Sequence, residues 1–172
     1  MEHTSRPEQI LGEMIRVLRP GGLLVIAAPN FGSPLFPSPC STERYTIRLL
    51  RRLLRTHCHL LIPPNGLEWE RVTPRTMRDG CYEMDWDTTV EPYIHSLTCY
   101  LARKGLECIY ATTDLDDVRP AYSQLSLKEL LRRPGRTLKD ISLRAGHKGV
   151  APYKFFGPNL YYAGIVRKGC CS

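Results

Sequence analysis

The sequence predicts an α/β fold, and three observations carry the prediction. A capped helix, a double glycine and a continuous apolar run follow one another between Glu2 and Asn30. The same order, helix then glycine then apolar run, returns between Thr88 and Thr113. A third apolar run, Leu160 to Val166, closes the chain. Helices that alternate with strands in this way build crossover units on a sheet.

The first unit is the best specified. Ser5 and Glu8 have capping-box spacing, so a helix is expected from about Arg6 to Leu18. Ile10, Leu11, Met14, Ile15 and Leu18 recur at helical spacing and give it an apolar face. Gly21 and Gly22 end it, because a left-handed turn residue is cheapest as glycine. Leu23 to Ala28 shows no alternation, which predicts a strand covered on both faces, as parallel strands are.

These residues resemble the second half of class I S-adenosylmethionine-dependent methyltransferases. In that family a Leu-Glu-His ends the fourth strand, and Arg-Val-Leu-Arg-Pro-Gly-Gly leads into the fifth. Here Met1-Glu2-His3 and Arg16 to Gly22, followed by LLVIAAPN, stand in those places. The resemblance implies a partial Rossmann-like methyltransferase sheet with strands five, seven and six in that spatial order. It implies S-adenosylmethionine as cofactor, Glu2 and His3 beside cofactor and substrate, and His3 as a catalytic base. It also implies a small-molecule acceptor met by Asn30 and Phe31 where the chain leaves the fifth strand, since ligands lie beyond the carboxyl ends of such strands. No Gly-x-Gly-x-Gly pattern occurs in the chain. The expectation is therefore a carboxy-terminal half that begins at an internal methionine and is inactive alone.

Composition narrows the classes. The chain has 172 residues, is 42% hydrophobic and 24% charged, and reads as one globular domain. It has no apolar run of membrane-spanning length and a polar amino terminus. Seven cysteines lie scattered, with no Cys-x-x-Cys. That argues against a zinc ribbon or a disulfide framework and for a reducing cytoplasm. Of the net charge of +7, five arginines between Arg44 and Gly66, with no carboxylate among them, supply +5. The basicity is thus assigned to one element, and nucleic-acid binding is not expected.

Residues 31–88 are expected to form an insertion or lid. Pro34, Pro37 and Pro39 open it as a loop. A helix is predicted over 43–56, with Arg44, Arg48, Arg51, Arg52 and Arg55 on one face and Ile47, Leu50, Leu53 and Leu54 on another. Three readings of the arginine face stand open: a solvated cap over the site, an acidic-substrate or phosphate contact in which Arg48 takes part, and a membrane or nucleic-acid surface. His57-Cys58-His59 reads as the frayed end of this helix, since adjacent ligands rarely converge on one metal ion. Trp69, Tyr82 and Trp86 are either a substrate wall or packing residues. Glu83, Asp85 and Asp87 read as an acidic rim able to pair with the arginine helix.

Thr88 and Glu91 repeat the capping-box spacing with Pro92 in the first turn, so a helix is predicted from there to Gly105. Val90, Tyr93, Ile94, Leu97 and Leu101 form its core face, and His95 falls on the rim. Leu106 to Thr113 is the next strand. A helical insertion covers 120–150, as one short helix from Ser126 stopped by Pro134-Gly135 and another over Leu138 to Ala145. Leu160 to Val166 is expected as an antiparallel seventh strand between the other two, and 169–172 as a tail.

A sheet of this kind leaves strand 23–28 without its fourth-strand neighbour. Exposed edges recruit another chain. Self-association, or pairing with a separate amino-terminal half, is therefore expected. The alternative class is a non-catalytic partner subunit or a basic interaction module that grips an anionic partner through the 44–55 arginine helix.

Overall fold

A computed structural model describes residues 3–75, 85–115 and 131–167. Its elements in chain order are α1 (Pro7–Val17), β1 (Leu23–Pro29), α2 (Tyr45–Leu61), β2 (Trp69–Arg71), β3 (Val90–Pro92), α3 (Ile94–Arg103), β4 (Leu106–Thr113), α4 (Pro134–His147), a single 3-10 turn at Tyr153–Phe155, and β5 (Asn159–Val166). The tail and all but the last residues of the short helix expected from Ser126 through Arg133 lie outside the described residues, as do Glu2, Tyr82 and Glu83.

The main sheet has the order β1-β5-β4, and β5 runs antiparallel to both neighbours. Leu23 pairs with Ile165 and Pro29 with Asn159, so residues 23–28 lie beside 160–166 as expected. No two neighbouring strands are parallel, so this is an antiparallel sheet and not a doubly wound parallel one.

The expectation that β1 is covered on both faces fails. Leu24 and Ile26 are buried while Leu23 and Val25 are exposed. Leu11 of α1 and Ile94, Leu97 and Leu101 of α3 pack with Leu24, Ile26, Leu160 and Tyr162 in one core cluster. The opposite face presents Leu23, Val25, Tyr161 and Ile165, all at least 37% exposed. An uninterrupted apolar run cannot by itself tell a strand buried on both faces from a one-sided strand with apolar residues left outside.

The start of α1 falls within a residue of where the sequence puts it, whereas the start of α3 does not. No side chain caps α1, although it begins one residue past the expected Arg6. The Thr88-Glu91 spacing caps nothing either. Val90–Pro92 is instead β3, paired with β2 in a two-stranded sheet, and α3 starts after it at Ile94. Burial of the Glu91 side chain is what holds that segment extended, through the ion pair described below. Residues 131–132 are helical and the helix breaks at Arg133, as expected, but Pro134-Gly135 then opens α4, with proline in the first turn where its missing N–H costs nothing. Gly105 (φ 86°) terminates α3 in the left-handed region as expected, whereas α1 already ends at Val17 with an extended Leu18, and Gly21 (φ 82°) makes the turn into β1.

Candidate functional site

α2 is turned the opposite way from the bland expectation. Arg48 and Arg52 are 5% and 1% exposed, and with Leu49 and Thr56 they form the inner face. Ile47, Leu50, Leu54 and Leu61 form the outer face, each more than half exposed. Arg51 and Arg55 stay 40% exposed and paired with glutamates, and Arg44 is exposed, so the five arginines do not form one solvated stripe.

Arg52 is held by glutamates from other elements, whereas Arg48 donates to the Ser41 hydroxyl, and the Nε of each is buried without a hydrogen-bond partner among the described residues. Arg52 Nη2 donates to Glu91 on β3 and, at 3.2 Å, to Glu70 on β2, while Nη1 donates to the Phe31 and Ser33 carbonyls. The second oxygen of Glu91 accepts from the Ser38 amide at 3.1 Å and from the Ser38 hydroxyl. Arg51 bridges Glu43 and Glu70. Tyr93 donates its hydroxyl to Glu70 at 2.8 Å and accepts from Arg55. Desolvation lowers the Arg52 and Arg48 pKa values. Burial pushes Glu70 upward, but bonds from Arg51 and Tyr93 and the Arg52 charge outweigh it, so its carboxyl stays below the usual carboxylate range. The +5 counted along residues 44–66 is thereby almost neutralised in place by Glu43, Glu68, Glu70 and Glu91.

Three of the residues predicted for the site lie near one cavity without lining it. A cavity of about 170 Å³ is lined by Cys40, Ser41, Thr42, Glu43, Glu70 and Arg71, among others. Arg48 reaches its wall through Ser41, donating from Nη1 at 3.1 Å. The Trp86 carbonyl accepts from the Cys40 thiol at 3.0 Å. His3 lies beside that same turn, its Nδ1 3.0 Å from Asp87 and its Nε2 3.9 Å from Asp85. The acidic rim at Asp85 and Asp87 thus faces His3, not the arginine helix. Arg71 ties the amino-terminal segment to the cavity wall by donating to the Ser5 carbonyl.

Asn30 and Phe31 belong elsewhere. Asn30 is 1% exposed, and its Nδ2 donates to the Phe155 and Gly157 carbonyls at 2.9 and 2.8 Å. It fastens the end of β1 to the start of β5 and does not open on a cleft. Phe31 is buried and offers only its carbonyl, to Arg52. Asn30 and His95 both border a small, partly open pocket of about 10 Å³, the scale of one water molecule. His95 is not a rim residue. Its ring stands edge-on to Phe155, and burial, with His59 and Lys154 nearby, lowers its pKa to about 4.

Sequence reasoning did not identify Glu70, Glu91 or Tyr93 as partners of the arginines. The available signal was the absence of any carboxylate inside 44–66, which forces inward arginines to draw partners from distant segments. His57 and His59 sit within α2, not at a frayed end: His57 Nδ1 donates to the Leu53 carbonyl and His59 Nε2 bonds Glu68. Among the described residues no group of three His, Cys, Asp or Glu side chains gathers as a metal site, and Cys40, Cys58, Cys99 and Cys108 are free thiols. No described helix is long and apolar enough to cross a membrane. Comparison with protein-family models, curated proteins and solved structures finds no match.

Proposed function

We propose that this chain is the acceptor-side half of a methyltransferase-like α/β unit, in which S-adenosylmethionine is the donor and a small molecule the methyl acceptor. The observation that carries the reading is the antiparallel insertion of β5 between β1 and β4, the order expected of strands five, seven and six. It coincides with the Arg16 to Gly22 turn on which the resemblance rests. The cavity beside His3, Arg48 and Trp86 is the candidate acceptor pocket.

The donor does not fit the described residues. A cavity of about 170 Å³ is smaller than the range of roughly 300–1,000 Å³ that ligand pockets occupy, and its walls supply no glycine-rich turn. On this reading the donor grip lies outside the described residues, and β1, at the edge of the sheet, is where a further strand would join. A separate complementary half and self-association are both compatible with that edge.

Isothermal titration with S-adenosylmethionine tests the reading. The chain alone is expected to give no binding heat. The chain produced together with the in-frame sequence encoded before it is expected to bind. Micromolar binding by the chain alone overturns its incompleteness, and no binding by the longer product overturns the methyltransferase reading.

A further inference from the structure

The outer face of α2 is apolar without interruption. Ile47, Leu50, Leu54, Cys58 and Leu61 follow at three- and four-residue steps along one line, all exposed. At 1.5 Å per residue the stripe runs about 21 Å. It ends in Leu61 and Ile62, which are 82% and 75% exposed. A helix bordering water ordinarily shows the reverse arrangement, arginines outward and leucines inward. Here the Arg52–Glu91 and Arg51–Glu70 pairs fix the inverted orientation, so the leucines remain outside. Contiguous apolar surface of this kind marks an interaction site.

The charge beside the stripe indicates what covers it. Residues 131–154 contain seven lysines and arginines and a single carboxylate, Asp140, which is buried. Arg132, Arg133, Arg136 and Lys148 are exposed, together with Leu131, Ile141 and Val150. This segment adjoins α2: a Cβ on Gly135 would sit 3.1 Å from the Tyr45 ring and 3.2 Å from Thr46. Among the described residues, α4 and the residues before it thus form a basic surface next to an apolar stripe that carries no acid.

We infer that the outer face of α2, with the basic residues around α4, docks on an anionic lipid surface. Leucines entering the headgroup boundary and cations held at phosphate level are the two contributions that bind interfacial helices. A second copy of this chain is disfavoured, because stacking two stripes would bring two strongly basic segments together. The inference is independent of the methyltransferase reading, since none of its residues borders the cavity beside His3.

Vesicle flotation tests it. Phosphatidylcholine vesicles containing about 30% phosphatidylserine are expected to carry the protein, and pure phosphatidylcholine vesicles are not. Leu50→Gln with Leu54→Gln is expected to abolish binding. Arg132→Gln, Arg133→Gln and Arg136→Gln together are expected to weaken it about a hundredfold, as is high salt. All five positions are exposed, and unchanged circular dichroism melts establish that the variants fold. Absence of vesicle binding, equal binding to neutral vesicles, or indifference to both sets of substitutions overturns the inference. A salt-insensitive dimer that the leucine substitutions dissociate, without vesicle binding, overturns it in favour of a second copy.

Discussion

The Arg52 guanidinium on α2 donates to the Glu91 carboxylate on β3, and the two side chains are 1% and 0% exposed. This pair connects the helix to the two-stranded sheet and sets which side of α2 faces inward. Removing one partner leaves a buried charge uncompensated. Arg52→Ala or Glu91→Gln is expected to cost about 3–5 kcal/mol in urea unfolding. The double replacement Arg52→Met with Glu91→Leu is expected to recover most of that loss, because apolar residues of similar volume often replace a buried pair at little cost. A double variant no more stable than the singles would show that the pair is not the coupling.

Asn30 fastens β1 to the turn before β5 through two carbonyls, and the Asn30 amide itself donates to the Pro158 carbonyl at 2.7 Å. Asn30→Ala leaves two buried acceptors without a donor, at about 1–3 kcal/mol each as an upper range. The expected signature is loss of amide-exchange protection at the β1–β5 pairing, with the cavity beside His3 unaffected. Exchange that changes only around residues 40–43 would assign Asn30 to the site instead.

Gly32 is required by a close approach. A Cβ there would lie 1.8 Å from the Pro92 carbonyl oxygen, a backbone atom that cannot turn aside. Gly32→Ala is expected to destabilise by about 1–3 kcal/mol or more by forcing β3 away. Gly66→Ala, where nothing stands within 4 Å, is the control and is expected to change stability little. Equal melting temperatures for the two variants would refute the contact.

His95 makes stability fall in mild acid. Its folded pKa of about 4 lies below the unfolded value of about 6.5, so the unfolded chain binds the proton more tightly. The neutral folded form is fully favoured above pH about 6.5, and that advantage is lost as pH falls toward 4. The expected loss is up to about 3 kcal/mol over this window, and His95→Gln is expected to flatten it. An unchanged pH profile in His95→Gln would place the titration elsewhere.

How much was legible in the sequence can be read from particular elements. The strands at 106–113 and 159–166 were, because apolar runs bounded by Gly105 and Pro158-Asn159 have few alternatives. The core face of α3 was legible too, since Leu97 and Leu101 repeat at helical spacing and are buried. Of the residues expected at a site, none of His3, Arg48 and Trp86 lines the 170 Å³ cavity, although Arg48 donates to Ser41 in its wall, while Asn30 borders a separate small pocket and Phe31 is buried. Their positions after a strand are local facts, but the direction a loop side chain takes depends on what the distant β5 turn offers it.

By itself the sequence determined the α/β class, the glycine stop at 105, the left-handed turn at Gly21 and the core face of α3, because these follow from dihedral preference and periodicity within a few residues. Only the tertiary structure decided which face of α2 turns inward. A helix with arginines on one side and leucines on the other is symmetric in pattern, and either side can be buried. The choice falls to Glu70 and Glu91, which lie 18 and 39 residues beyond Arg52 and reach it only once the chain has folded. Four glutamates drawn from outside the helix make burial of its charge affordable and leave its leucines facing outward.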